Sequence, residues 1–215
     1  VFTEFPGGYK EKVDINETCN NNTITLDRAE DAIPMFSAEL FDEMILYFDS
    51  KIKDVVLNLG PFCYKKSEWI KTMQSTTGET SKIEVHEPQV VNGRNIYFGE
   101  WRAGSSPPVR EGRGICVYSD NTFYEGLWKN DKREGVGRLI IDTGHVCQGS
   151  FKKDKLCGFG VKVYASGEKI KGYFYDNLLN GDGIKISVDN DILKGNFEKG
   201  KISGDGAELL YQNGD

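Results

Sequence analysis

Five Gly-x-Gly pairs, Gly112/Gly114, Gly135/Gly137, Gly158/Gly160, Gly181/Gly183 and Gly204/Gly206, return every 23 residues through the second half of this 215-residue chain. A fixed period of that size belongs to stacked supersecondary units and not to a single globular core, so the unit decides the fold. Two more signals keep the same beat. Gly126, Gly149, Gly172 and Gly195 are each followed two residues later by an aromatic: Trp128, Phe151, Phe174 and Phe197. Asp120-Asn121, Thr143-Gly144, Ser166-Gly167, Asp189-Asn190 and Asn213-Gly214 close the units with residues that tolerate positive φ in hairpin turns.

Side chains alternate across a strand, so Tyr124-Glu125-Gly126-Leu127-Trp128 puts Tyr124, Gly126 and Trp128 on one face. The spacing predicts a tip over Lys129 to Glu134 and a returning strand from Gly135 to Ile141. In that strand Val136 and Ile140 face one way and Gly137, Leu139 and Ile141 the other. Paired glycines inside a strand weaken it unless something bulky lies over the backbone, and the neighbouring aromatic is the candidate. The first unit repeats the grammar as Tyr97, Gly99 and Trp101, with Ser105, Ser106, Pro107 and Pro108 lengthening one turn. Five hairpins make a ten-stranded antiparallel meander, about 45 Å long at roughly 4.8 Å per strand. The expected fold is mainly β: a single-layer ribbon of hairpin repeats with a short α-helical N-terminal region. Each hairpin is marginal alone, and the open edges call for a cap or a partner.

The run Tyr124-Glu125-Gly126-Leu127-Trp128-Lys129-Asn130 through Gly135-Val136-Gly137-Arg138 resembles the MORN repeat. The resemblance covers 97–215, in units starting near 97, 124, 147, 170 and 193, with a half-unit near 60–64. Cys147, Ile170 and Leu193 stand where the family has tyrosine. The resemblance implies a non-enzymatic scaffold or adaptor in a larger assembly, cytoskeletal or ciliary. It implies as alternatives a targeting module of a lipid kinase or lysine methyltransferase, or a phosphoinositide-binding surface.

Charge is unevenly divided. Residues 97–215 carry 17 basic and 17 acidic side chains, which leaves 10 basic and 16 acidic in 1–96 and a net charge of −6. The absence of a basic footprint argues against nucleic acid. No run approaches the roughly 18 to 20 apolar residues of a membrane span, and no signal segment is visible, so an intracellular, cytoplasmic setting is expected. Cys19, Cys63, Cys116, Cys147 and Cys157 form neither a disulfide framework nor a zinc pattern. Asn16-Glu17-Thr18 and Asn21-Asn22-Thr23 match the glycosylation sequon by chance. The chain opens on Val1, and Asp215 stops one residue before a sixth unit would place its tyrosine, which suggests further sequence beyond both.

Residues 1–36 read as an extended arm. From Ser37, an N-cap, Leu40, Phe41, Met44, Ile45, Phe48 and Ile52 recur at helical spacing and form a stripe that packs on the sheet. The flank Asp42, Glu43 and Asp49 speaks against an anionic bilayer. Gly60-Pro61-Phe62-Cys63-Tyr64 resembles a returning strand that caps the ribbon by pairing with the first hairpin, followed by an insertion over 65–91 within the 37–96 region.

Neither His86 nor His145 sits at a ligand or nucleophile spacing, and the glycine pairs lie inside strands, outside any phosphate-binding loop. No catalytic residue, cofactor or metal is expected. The partner-binding candidates are the ring row Tyr97, Trp101, Tyr124, Trp128, Phe151, Phe174 and Phe197. These rings either fill the sheet or line a groove for another chain. Lys129, Lys132, Arg133, Lys152, Lys153 and Lys155, clustered at two tips, are candidates for acidic lipid or protein. The partners expected are proteins of a macromolecular complex, with weak peripheral membrane contact and a homodimer as further options.

Overall fold

The computed structural model describes residues 32–48, 50–65 and 82–211. Most of the expected arm, Asp49, residues 66–81 of the insertion, Cys19, both sequons and the Asn213-Gly214 turn lie outside the described residues. The chain begins with β1 (Ala32–Pro34), α1 (Ala38–Ile45), α2 (Ser50–Leu59), β2 (Cys63–Lys65), β3 (Ile83–Val85) and β4 (Gln89–Val91). The array follows as β5 (Asn95–Arg102), β6 (Arg110–Val117), β7 (Phe123–Lys129), β8 (Lys132–Ile140), β9 (Val146–Lys152) and β10 (Lys155–Val163). It ends with β11 (Lys169–Tyr175), β12 (Leu178–Ile186), β13 (Ile192–Glu198), β14 (Lys201–Ile202) and β15 (Glu208–Leu210). From β5 to β14 each strand pairs antiparallel with the next. β3 and β4 share the outer edge of β5, and β15 joins β14 on β13. The meander of hairpin repeats is present as expected.

Two kinds of turn alternate. Asn130/Asp131, Lys153/Asp154, Asp176/Asn177 and Lys199/Gly200 are two-residue tips with positive φ at both positions, the geometry that matches strand twist. Because Asn130-Asp131 alone makes the tip, β8 starts at Lys132, three residues before the expected Gly135. The opposite turns place Asn121, Gly144, Gly167 and Asn190 at positive φ. Each donates its N–H three residues back, to Tyr118, Ile141, Tyr164 and Ser187 at 2.8–3.1 Å.

The glycines form one line across the sheet. Gly99, Gly114, Gly126, Gly137, Gly149, Gly160, Gly172, Gly183 and Gly195 each face the next directly across a strand boundary. A Cβ on Gly126 would lie 2.6 Å from the Gly137 Cα and 2.4 Å from the Tyr124 hydroxyl oxygen. The expected bulky cover is therefore present, and it changes along the ribbon. Tyr97 and Tyr124 cover the early glycines, while Leu156, Leu179 and Ile202 cover the later ones.

On the ring face, Tyr97, Trp101, Tyr124, Trp128, Phe151, Phe174 and Phe197 pack with Cys116, Leu156 and Leu179. On the other face, Met44, Ile52 and Val56 of the helices bury Phe98, Ile115, Val117, Phe123, Ile140 and Val146. Ser37 caps α1, accepting from the Leu40 N–H at 3.3 Å. The stripe read as one helix through Ile52 is two. Leu46, Tyr47 and Phe48 donate only three residues back, which tightens the last turn and ends α1. The bend brings Tyr47 against Phe98 and Phe48 against Phe123, at ring separations of 5.4 and 5.0 Å. Packing of Phe48, half-buried on Phe123, and of Tyr47 against the Phe98 ring accounts for the split of one amphipathic pattern.

The segment at 60–64 does not cap the ribbon. β2 pairs with β1 in a separate two-stranded sheet, and Phe62 and Tyr64 pack with Met35 over Leu127 on the helix-bearing face. The edge is covered by β3 and β4 instead. Pro61 removes a donor, and Gly60 at φ 67 ends α2 by donating to the Val56 carbonyl at 2.9 Å, so this segment serves as a helix exit.

Gly137→Ala is predicted to lower stability by about 1–3 kcal/mol, because its Cβ has no space beneath the Tyr124 ring. Gly206→Ala, with nothing within 4 Å of the new methyl, is predicted to change it by less than about 0.5 kcal/mol. Urea denaturation followed by circular dichroism compares the two, and equal midpoints would refute the packing account.

Candidate functional site

All seven ring-row side chains are 0–4 % exposed. The alternative in which they line an open groove is not how they sit, because each ring is enclosed by its neighbours. Trp101, Tyr97, Trp128, Tyr124 and Phe151 form a chain of edge-to-face contacts at 4.8, 5.4, 5.2 and 5.3 Å. Such pairs contribute about 0.5–1.5 kcal/mol each beyond area burial. The Tyr97 and Tyr124 hydroxyls donate to the Glu100 and Leu127 carbonyls, both at 3.0 Å, and the Trp128 indole N–H donates to the Gly114 carbonyl at 3.0 Å. Burial pushes both tyrosine pKa values well above the ordinary range.

A cation covers the rings and ties them to the next tip. The Arg110 guanidinium lies 4.2 Å from the Trp128 ring centre and donates to the Asp131 carbonyl at 2.9 Å. Arg133 lies over Tyr124 and Phe151 and donates to the Asp154 carbonyl at 2.9 Å. Leu156 and Leu179 replace these arginines in the later units, where Lys162 and Lys185 take over the role from another strand position. They lie 5.3 and 5.0 Å from the Phe174 and Phe197 ring centres and donate to the Asn177 and Gly200 carbonyls, each at 2.7 Å.

Tips also clip one repeat to the previous one. The carboxylates of Asp131 and Asp154 and the amide oxygen of Asn177 accept from the backbone N–H groups of Arg110, Arg133 and Leu156 at 2.8–2.9 Å. In return the tip N–H groups of Asp131, Asp154, Asn177 and Gly200 donate to the carbonyls of Arg110, Arg133, Leu156 and Leu179. Glu111, Glu134 and Asn180 accept from Asn130, Lys153 and Lys199 in the same way. Sequence reasoning missed these residues, although Asp131, Asp154 and Asn177 recur at the same 23-residue spacing as the glycines.

The six basic tip candidates separate. Arg133 is spent on Asp154 and the rings, and Lys155 pairs with Asp176. Lys132, Lys152 and Lys153 are exposed and Lys129 is half-buried; among the described residues none of these four forms an ion pair.

Two further ion pairs stand on the helix-bearing face. Arg113 grips Glu100 through its backbone N–H at 2.6 Å and its Nε at 2.9 Å. Arg138 pairs with Glu125 in full burial and donates to the Gly60 carbonyl at 2.7 Å, at the carbonyl end of α2. Burial raises the Glu125 carboxyl above its ordinary value despite Arg138. The Cys116 thiol is pushed up to about 11 by burial, so it is a packed and not a reactive sulfur. His86 pairs with Glu84 at 3.0 Å, and His145 packs on Tyr164. Among the described residues, no three His, Cys, Asp or Glu side chains converge as for a metal, and no helix is long and apolar enough to cross a membrane.

One cleft of about 510 Å³ opens between the start of α1 and the β3 edge, lined by Met35, Phe36, Leu40, Glu43, Val85 and Glu87 among others. Nothing in the repeat pattern announced it, because it needs the helices in place.

Arg138→Ala is predicted to cost about 3–5 kcal/mol at neutral pH by stranding a buried carboxylate. With the folded carboxyl raised, its contribution is present below the unfolded value and is lost as pH rises through the folded one. The variant should therefore be least destabilised near about pH 4, and a loss independent of pH in urea melts would exclude Glu125 as the cause.

The family model for the MORN repeat matches three consecutive stretches, residues 109–123, 124–146 and 147–169. No curated protein matches the chain significantly.

Proposed function

We propose, on the premise that this chain is a MORN-repeat protein, that it is a non-enzymatic scaffold whose sheet holds other proteins within a larger assembly, cytoskeletal or ciliary in setting. The MORN repeat is a protein- and membrane-interaction module and not a catalytic one. The observation carrying the proposal is the unequal covering of the sheet. The ring face is spent on itself, while α1, α2 and β2 bury the other face over β5 to β9. Farther along that face, Tyr175 and Leu178 are about half exposed as neighbours across a tip. Aromatic and aliphatic groups at such a place suit docking, since few buried anchors dominate most interfaces.

The test uses full-length protein and co-purification from the source cell. Tyr175→Asp with Leu178→Asp is predicted to keep the melting temperature and to lose the defined partner at least about tenfold. Unchanged capture would remove this surface from the proposal. Trp101→Ala with Trp128→Ala cannot serve, because losing two buried indoles costs about 3–5 kcal/mol each.

A second reading, contact with anionic lipid, draws on the unpaired Lys132, Lys152 and Lys153. It predicts that full-length protein floats with phosphoinositide vesicles at low salt, and that Lys152→Glu with Lys153→Glu abolishes this. Absence of flotation by the unaltered protein would end it.

A further inference from the structure

We propose that the cleft beside β3 seats an extended segment of another protein in which an aliphatic side chain is flanked by lysine or arginine. The proposal deepens the scaffold reading and rests on it.

The ladder on the outer edge of β5 is interrupted at one place. β3 pairs through Val85 opposite Glu100 and β4 through Gln89 opposite Tyr97, which leaves Phe98 and Gly99 without a partner on that edge. On the ring face the interruption has a counterpart. The Trp128 indole N–H finds a carbonyl on the preceding strand, whereas the Trp101 indole N–H is buried with no acceptor among the described residues. On the helix-bearing face the same interruption opens the cleft, with Gly99, His86 and Pro88 in its wall.

Its chemistry selects the occupant. The floor is apolar, from Met35, Leu40 and Phe98, and Val85 stands at the mouth 74 % exposed. Both sides are acidic. Glu43 rises from α1 and Glu87 from the edge segment, and both are exposed. Arg113 in the wall is engaged by Glu100, and His86 contacts Glu84. A basic strand with one apolar side chain satisfies both the floor and the walls, whereas an anionic surface would be repelled. Among the described residues β3 hydrogen-bonds only to β5, so its outer edge offers backbone groups to an added strand.

The probe is a fluorescein-labelled eight-residue peptide alternating lysine and arginine with valine and leucine, titrated against the full chain by anisotropy. Saturable binding is expected, weakening at least about fivefold between low and physiological salt. Val85→Asp, and separately Glu43→Lys with Glu87→Lys, should each weaken it at least about tenfold with unchanged melting temperature, while Lys152→Glu leaves it alone. Peptide-dependent slowing of amide exchange should centre on Ile83–Val85. Absence of binding, binding indifferent to the cleft variants, or equal competition by spermine would overturn the proposal, the last because no apolar contact would then be needed. Loss of peptide binding by the cleft variants with partner capture through Tyr175 and Leu178 intact separates this site from the scaffold surface. Capture lost through Tyr175→Asp with Leu178→Asp while peptide binding persists separates them in the other direction.

Discussion

Opposed glycines let neighbouring strands approach until the Cα of one lies 2.5–2.6 Å from where a Cβ on the other would stand. In this protein the approach recurs at alternate boundaries, for a Cβ on Gly99, Gly126, Gly149 or Gly172. The space above the line is filled by a side chain laid flat, tyrosine early and leucine or isoleucine late. The rings then meet edge to face, and a cation closes over them. The same cation donates to the tip carbonyl, which joins the ring cover to the tip.

The exchange between early and late units shows which part of the repeat is constrained. When tyrosine gives way to Cys147 and Ile170, the covering arginine becomes leucine and a lysine six residues farther along the chain supplies the charge. Side-chain identity moves, yet the cation over the ring and the bond to the tip stay. Geometry is the quantity retained from repeat to repeat.

Docking surfaces follow from what this packing leaves out. The seven rings of the repeat row are buried and offer no accessible surface. The helices cover one end of the opposite face, and the ladder gap at Phe98 and Gly99 divides the edge. The spacing of Tyr124, Gly126 and Trp128 told that these residues share a face, but not whether the face is open, because closure depends on rings of the neighbouring repeats and on Arg110 and Arg133. The break at Leu46 was likewise hidden: an uninterrupted apolar stripe does not report that Phe48 has a better place against Phe123.

Residue order alone determined the 23-residue unit, its antiparallel hairpins, the turn positions and the glycine line, since these depend on backbone sterics and on neighbours close in the chain. The tertiary structure decided the rest. It set which strand caps the edge, how α1 and α2 divide, that Glu125 meets Arg138 beneath Gly60, and where a cleft opens. The contacts of α1 and of Gly60 join residues about fifty to eighty positions apart, and at the edge competing burial, not local periodicity, chooses the partner.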